Sequence, residues 1–268
     1  MGKWLFACIT AFVLTLPILA NADAFYPAFT AQYLVKTNGL KTAIAEFTLT
    51  LDAQGNYVYR QQSSAVGLAS LFTSAKSEQT SRGRFIDGAI VVSEFTSERK
   101  GGDDDDNARL VFNWETSRVN NIGAGEHWDI EMPAGTLDIM VMQLAMTLDL
   151  IRGEKVFEYP VAVRGRIKHF QFKQVAEESV TVGTGTYNAI KVQRMDDDKD
   201  QSWTWSVPEL DYFPVRFVKK KKGGLTVDIL LEKLQFEAAP TAAANDASPE
   251  SAPVPAAVAA PVASQTED

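Results

Sequence analysis

From Phe29 the chain alternates apolar and polar side chains with a period of two. Phe29, Ala31, Tyr33 and Val35 share one phase and, beyond Asn38-Gly39, so do Ala43, Ala45, Phe47, Leu49 and Leu51. Such a period places successive side chains on opposite faces of a strand, and Asn-Gly between two such runs is a strong hairpin signal. The pattern repeats down the chain. Gly55-Asn56 precedes a run that opens at Tyr57 and reaches Val66, and Asp87-Gly88 separates 84–86 from 90–95. Residues 101–107 form a polar hairpin tip before the run 108–114, and a weaker strand covers 116–122. Later, Phe157, Tyr159, Val161 and Val163 share a face, Arg164-Gly165 turns the chain into 166–175, and another strand spans 187–194. The apolar segment 67–72 has no clear period and reads as a loop or lid.

The most ordered pattern lies in 202–236. Trp203, Trp205 and Val207 alternate with Ser202, Thr204 and Ser206 until Pro208, which lacks the N–H that a ladder needs. Pro214 opens the next strand, residues 219–222 with Gly223-Gly224 make a hairpin tip, and Leu225, Val227, Ile229 and Leu231 return. One segment breaks the period. Leu137, Met140, Val141, Leu144, Leu148 and Ile151 recur at spacings of three and four, which predicts a helix over 137–151. Thr136 is placed to cap it, Asp138 sits in its first turn, and Arg152 precedes Gly153 at its end. Met142 and Met146 fall off the main stripe, so the helix is expected to be apolar on more than one side. Many short strands and one helix predict a mainly β fold: an antiparallel, strongly curved sheet or barrel-like domain over 25–237.

The Leu-Asp helix start after Pro133-Ala134-Gly135, the run Trp203-Thr204-Trp205-Ser206, the run Phe213-Pro214-Val215-Arg216-Phe217 and the Gly-tipped closing hairpin resemble the DUF3108 family. The resemblance extends over 28–236 and is most specific at Asp138, Trp205, Pro214, Val215 and Arg216. It implies a secreted, β-rich, single-domain bacterial envelope protein, and it brings no catalytic residue with it.

The two ends differ from this body. Lys3 and the apolar residues 4–19, followed by Ala20-Asn21-Ala22 and Ala22-Asp23-Ala24, read as a cleaved signal peptide over 1–22. The apolar stretch is shorter than the ~20 residues of a membrane span. Cys8, the sole cysteine, lies inside it and away from the cleavage point, so neither a lipoprotein anchor nor a disulfide is expected in the mature chain. The expected location is the periplasm. Residues 238–268 are rich in Ala and Pro, acidic, and without aromatic residues, the composition of a disordered tail. A net charge of −8 argues against general nucleic-acid binding, which needs a basic surface.

Candidate chemistry is sparse. Glu126, His127 and Asp129 are the best acid–base grouping, yet neighbours on an extended chain point to opposite faces. His169, between Lys168 and Phe170, is expected to face solvent. Asp103, Asp104, Asp105 and Asp106 are weak candidates for calcium, because calcium loops space their acids; they read more simply as a solvated tip. The acidic run 196–200 has a basic counterpart in 219–222, with the charge to meet anionic headgroups. No nucleophile elbow, zinc-protease motif, phosphate loop or dinucleotide fingerprint is present, and no cofactor is expected. The inward-phase aromatics remain. Trp203, Trp205, Phe157, Tyr159, Phe217 and Met140 are the candidate lining of an apolar cavity. The sequence therefore favours a non-catalytic periplasmic protein that binds a lipid or other amphiphile, or a protein partner. An envelope structural protein without a small ligand and a hydrolase with an unrecognised site are the alternatives.

Overall fold

The computed structural model describes residues 26–67, 70, 76–100, 107–123, 127–197 and 199–237. The expected signal peptide, the tail, Asp103, Asp104, Asp105, Asp106, Glu126 and most of 67–72 lie outside the described residues. Among the described residues there are fourteen strands. They are β1 (Phe29–Thr37), β2 (Leu40–Leu51), β3 (Asn56–Ala65), β4 (Lys76–Ile86), β5 (Ala89–Lys100), β6 (Ala108–Asn113) and β7 (Arg118–Asn121). β8 (Trp128–Glu131) precedes the helix α1 (Met142–Ile151). After it come β9 (Val156–Val163), β10 (Arg166–Val182), β11 (Gly185–Arg194), β12 (Gln201–Val207), β13 (Phe213–Lys220) and β14 (Thr226–Phe236).

All fourteen belong to one antiparallel sheet, ordered β8-β7-β6-β5-β4-β3-β2-β1-β14-β13-β12-β11-β10-β9. Each half is a meander, and the first and last strands join the halves at the centre: Phe29 pairs with Phe236 and Val35 with Ile229. The turns follow the residues that permit them. Asn38-Gly39, Asp87-Gly88 and Arg164-Gly165 all have positive φ at both positions, the primed geometry whose twist matches that of the flanking strands. Pro208 begins a 3₁₀ turn over Pro208–Leu210, and the chain re-enters the sheet at Phe213.

The sheet curls until its ends approach without pairing. Trp128 of β8 lies against Gly165 in the β9–β10 turn, where a Cβ would stand 3.5 Å from the indole. No ladder joins β8 to β9. The chain between them must cross from one edge to the other, and it covers the β9 edge on the way. Leu137 donates its N–H to the Pro160 carbonyl and accepts from Ala162, both at 2.9 Å, forming a parallel bridge with Val161. α1 then packs beside β9, held by Tyr159, whose hydroxyl donates to Asp149 at 2.7 Å, and by Arg152, which bonds Asp149 and the Gly88 carbonyl.

The helix begins five residues later than its apolar spacing predicts, because Leu137 is committed to the strand edge. Thr136 does not cap it. Its hydroxyl donates to the Pro133 carbonyl, while the Asp138 carboxylate folds forward onto the Met140 and Val141 N–H groups. Val141, the residue before the helix, makes no side-chain cap. Burial on more than one side holds: Leu144, Met146, Leu148 and Leu150 are all buried, whereas Ile151 is exposed. The aromatic layer inside the sheet is continuous, Phe29 meeting Phe213 edge-on at 5.0 Å and Tyr33 meeting Phe47 at 5.4 Å.

Close approach of neighbouring backbone requires glycine at several positions, Gly83 among them. Gly83 sits where the β4–β5 register slips, and a Cβ there would lie 2.8 Å from the Tyr57 hydroxyl and closer still to the Val91 carbonyl. Gly83→Ala should therefore destabilise the fold by about 1–3 kcal/mol, the usual range for overpacking, read as a lower urea midpoint at unchanged slope. A wild-type midpoint would contradict this packing.

Candidate functional site

The concave face of the sheet is not filled everywhere. A hollow of about 280 Å³ remains where β1, β2 and β3 face β12, β13 and β14, with the segment ahead of α1 as its floor. Its apolar wall is Tyr33, Phe47, Tyr59, Met140, Phe217 and Ile229. The period of two accounts for most of that set. Tyr33 stands opposite Ala45 and Leu231, Phe47 opposite Ala31, and Phe217 opposite Ile229, all on one face. Tyr33 braces the wall, its hydroxyl donating across β14 to the Pro214 carbonyl at 2.6 Å. Burial raises the Tyr33 and Tyr59 hydroxyls well above the ordinary tyrosine range, so both stay neutral.

Polar groups enter the same space. Gln61, Gln79, Gln143 and Thr204 line it, whereas the Arg216 guanidinium, doubly bonded to Asp228 at 2.9 and 2.8 Å, lies with Trp205 on the opposite face of the sheet. Gln143 differs from the others: its Nε2 is buried and has no hydrogen-bond partner. A buried donor left unmade costs about 1–3 kcal/mol.

Beneath the floor lies a buried carboxylate. Asp138 is fully buried; its Oδ1 accepts from the Met140 and Val141 N–H groups at 2.8 and 3.1 Å, and its Oδ2 accepts from Ser81 at 2.5 Å. Ser81 shares a further hydrogen bond with the Tyr57 hydroxyl at 3.1 Å. Desolvation lifts the Asp138 pKa to about 6, with the bonds from Ser81, Val141 and Met140 holding it back. The carboxylate thus fixes the backbone that carries Met140 into the hollow and ties it to β4.

Of the six cavity residues expected from sequence, Met140 and Phe217 line the hollow and four do not. Thr204 faces it, so the alternation of β12 turns Trp203 and Trp205 to the other side. Trp205 donates Nε1 to Glu178 at 2.7 Å, with Lys191 and Arg216 over its ring at 4.9 and 5.1 Å. Lys191 and Lys220 flank Trp203. Phe157 and Tyr159 are packed into the core. The lining residues that alternation could have marked are the glutamines. Gln61 shares a phase with Tyr57 and Tyr59, a polar residue where an apolar one would be expected.

Of the acid–base candidates, His127 and Asp129 make separate contacts. His127 is exposed and its Nδ1 lies 3.4 Å from the Asn121 carbonyl, while Asp129 bonds Arg118 at 2.9 Å. His169 is exposed and meets Glu158 at 2.8 Å. Among the described residues no group of three or more His, Cys, Asp or Glu is placed to hold a metal. The acidic and basic tips do meet, Lys219 pairing with Asp200 at 3.0 Å. No helix among the described residues is long and apolar enough to cross a membrane.

Fold and hollow together define a mainly antiparallel β protein, curled and open along one seam. The chain belongs to DUF3108, a family of unknown function, whose profile matches residues 32–229. It is similar to the β-barrel-like DUF1849 protein of Brucella abortus, with 10% identity over 79% of this chain and 98% of that one and a TM-score of 0.50; this shows the fold alone. A Bacteroides fragilis protein described as exported, with a YmcC-like fold, aligns at 12% identity over 79% and 98% of the chains, with a TM-score of 0.35. No curated protein matches.

The raised pKa of Asp138 has a sign that can be read. The folded state holds this proton more tightly than the unfolded chain, whose value is near 3.8, so Asp138 favours folding below that pH. The benefit is lost as the pH rises through about 6, an effect of about 3 kcal/mol. Asp138→Asn keeps an acceptor for the two N–H groups and cannot ionise. Relative to wild type, its stability should improve progressively between pH 4 and pH 7 in urea titrations; a constant difference across that range would refute the assignment.

Proposed function

We propose that this chain is an exported, non-catalytic envelope protein that takes the apolar part of an amphiphile into the concave hollow. The observation that carries this reading is the pairing of an apolar wall with one buried, unpartnered amide donor at Gln143. A hydrocarbon chain suits the wall, because ordered apolar pockets with a few placed polar groups are the usual form of small-molecule sites. An ester, amide or carboxyl oxygen near the end of that chain would accept from Gln143. The hydrophobic gain is about 25 cal/mol for each Å² of chain removed from water. The hollow is small, so it suits one chain better than two.

Export is supported by the sequence of residues 1–24, with its positive start, apolar centre and two small-x-small sites. The non-catalytic reading is supported by the dispersal of His127, Asp129 and His169 to separate exposed contacts. The protein then acts by sequestering or presenting its ligand.

Ile229 is a good point of attack, since it is half-buried and its side chain can be enlarged into the hollow. Wild-type protein titrated with N-phenyl-1-naphthylamine, a neutral apolar fluorophore, should show saturable enhancement. Ile229→Trp should weaken it by about tenfold or more, the loss of roughly 1.4 kcal/mol or above, while remaining folded by circular dichroism. Equal binding by a folded Ile229→Trp protein would rule the hollow out.

A further inference from the structure

One row of the concave face is polar where alternation calls for apolar side chains. Across β2 to β5, Leu49, Tyr59, Ser81 and Phe95 stand opposite one another and are all buried. Ser81, the one small polar member, is engaged by Asp138 and Tyr57. Two residues further along the same strands, on the same face, the row becomes Phe47, Gln61, Gln79 and Ser97. Both glutamines are half-buried and line the apolar hollow. Gln79 donates Nε2 to the Ser97 hydroxyl at 3.4 Å, and Gln61 makes no side-chain hydrogen bond with a described residue. Gln143, whose Nε2 has no partner, and Thr204 line the same space from α1 and β12. Charge is missing from this set. Among the described residues that line the hollow only Arg216 is charged, and its guanidinium is held on the opposite face by Asp228. The connection from β3 to β4, 66–75, has no charged residue in its sequence. The Asp138 carboxylate beneath is enclosed by three donors of its own.

We propose that the amphiphile held in this hollow has an uncharged head group bearing hydroxyls, as a glycerol or a sugar does, and that Gln61 and Gln79 recognise it. The inference rests on the reading of the hollow as a chain site and adds the chemistry of the ligand's other end. Each glutamine amide offers two donors and an acceptor oxygen on one side chain. A hydroxyl both donates and accepts, so neighbouring hydroxyls satisfy both halves of an amide, whereas a carboxylate or phosphate satisfies only the donors. An ionised head would also give up its water without meeting an opposite charge, a heavier loss than that of a neutral group. A simple alkyl ester brings no donor and leaves the glutamine oxygens unmatched. The apolar wall of Tyr33, Met140, Phe217 and Ile229 takes the chain, and the row of Gln61 and Gln79 takes the head.

The test displaces N-phenyl-1-naphthylamine from the purified protein with three ten-carbon probes: monodecanoylglycerol, methyl decanoate and decanoate. Each is kept below its solubility and micelle limits at neutral pH, where the carboxylate is ionised. The glycerol ester should bind at least about tenfold tighter than either of the others, the worth of one or two neutral hydrogen bonds. Gln61→Leu combined with Gln79→Leu puts apolar side chains of similar size beside Phe47 and Tyr59, so the variant should fold, as circular dichroism will show. In it the ratio of glycerol-ester to methyl-ester affinity should fall to about one. Equal binding of the three probes, a preference for either of the other two, dye that none of them displaces, or a glycerol preference that survives in the folded double variant overturns the head-group proposal while the chain site stands. Failure of the dye itself to bind overturns both.

Discussion

Because β1 is hydrogen-bonded to β2 on one side and to β14 on the other, the sheet has its first and last strands at the centre and its two free edges at the middle of the sequence. Every other feature answers to that arrangement. The edges are β8 and β9, which follow each other in the chain, so the segment between them has to run from one to the other. Exposed edges invite pairing with other molecules. Here Leu137 occupies part of the β9 edge, and the Trp128–Gly165 contact brings the other edge to it. Curvature is thereby enforced without the ladder that would close a barrel.

A curled sheet that does not close leaves an interior whose filling depends on what crosses it. At one end the crossing is done by aromatic rings, Phe29, Phe213 and Phe236, in edge-to-face contact. Elsewhere it is done by the turn ahead of α1, and that turn is set by Asp138. The carboxylate organises two N–H groups and engages Ser81 on the opposite wall, so the height of Met140 in the interior is fixed by one hydrogen-bonded unit. What is left between this turn and the strands is the apolar hollow. The cost is a buried carboxyl whose ionisation opposes folding near neutrality, a strain of the kind that functional sites retain.

Most of the fold was legible because turn chemistry and alternation agree. Asn38-Gly39, Asp87-Gly88 and Arg164-Gly165 mark real primed turns, and the aromatic phases of β1, β2, β3 and β9 are inward as their spacing indicates. β8 was hidden because four residues give too little pattern to show a period. The helix start was misplaced because Leu137 and Met140 are apolar for two unrelated reasons, one pairing with a strand and the other filling the interior. Trp203 and Trp205 misled by size. Thr204 between them faces the hollow, and the indoles serve contacts with Glu178, Lys191 and Arg216 on other strands, which leave no local trace. Polar residues on an apolar phase, Gln61 above all, were the available clue.

The central claim is that the hollow holds one end of an amphiphile in the cell. Native mass spectrometry of the protein purified from the cells that make it, followed by solvent extraction and lipid analysis, tests it most directly. The account predicts a species heavier than the bare polypeptide by the mass of one single-chain lipid, removed by extraction and lost in the Ile229→Trp variant. A bare chain in every preparation, or an adduct retained unchanged by that variant, would contradict it.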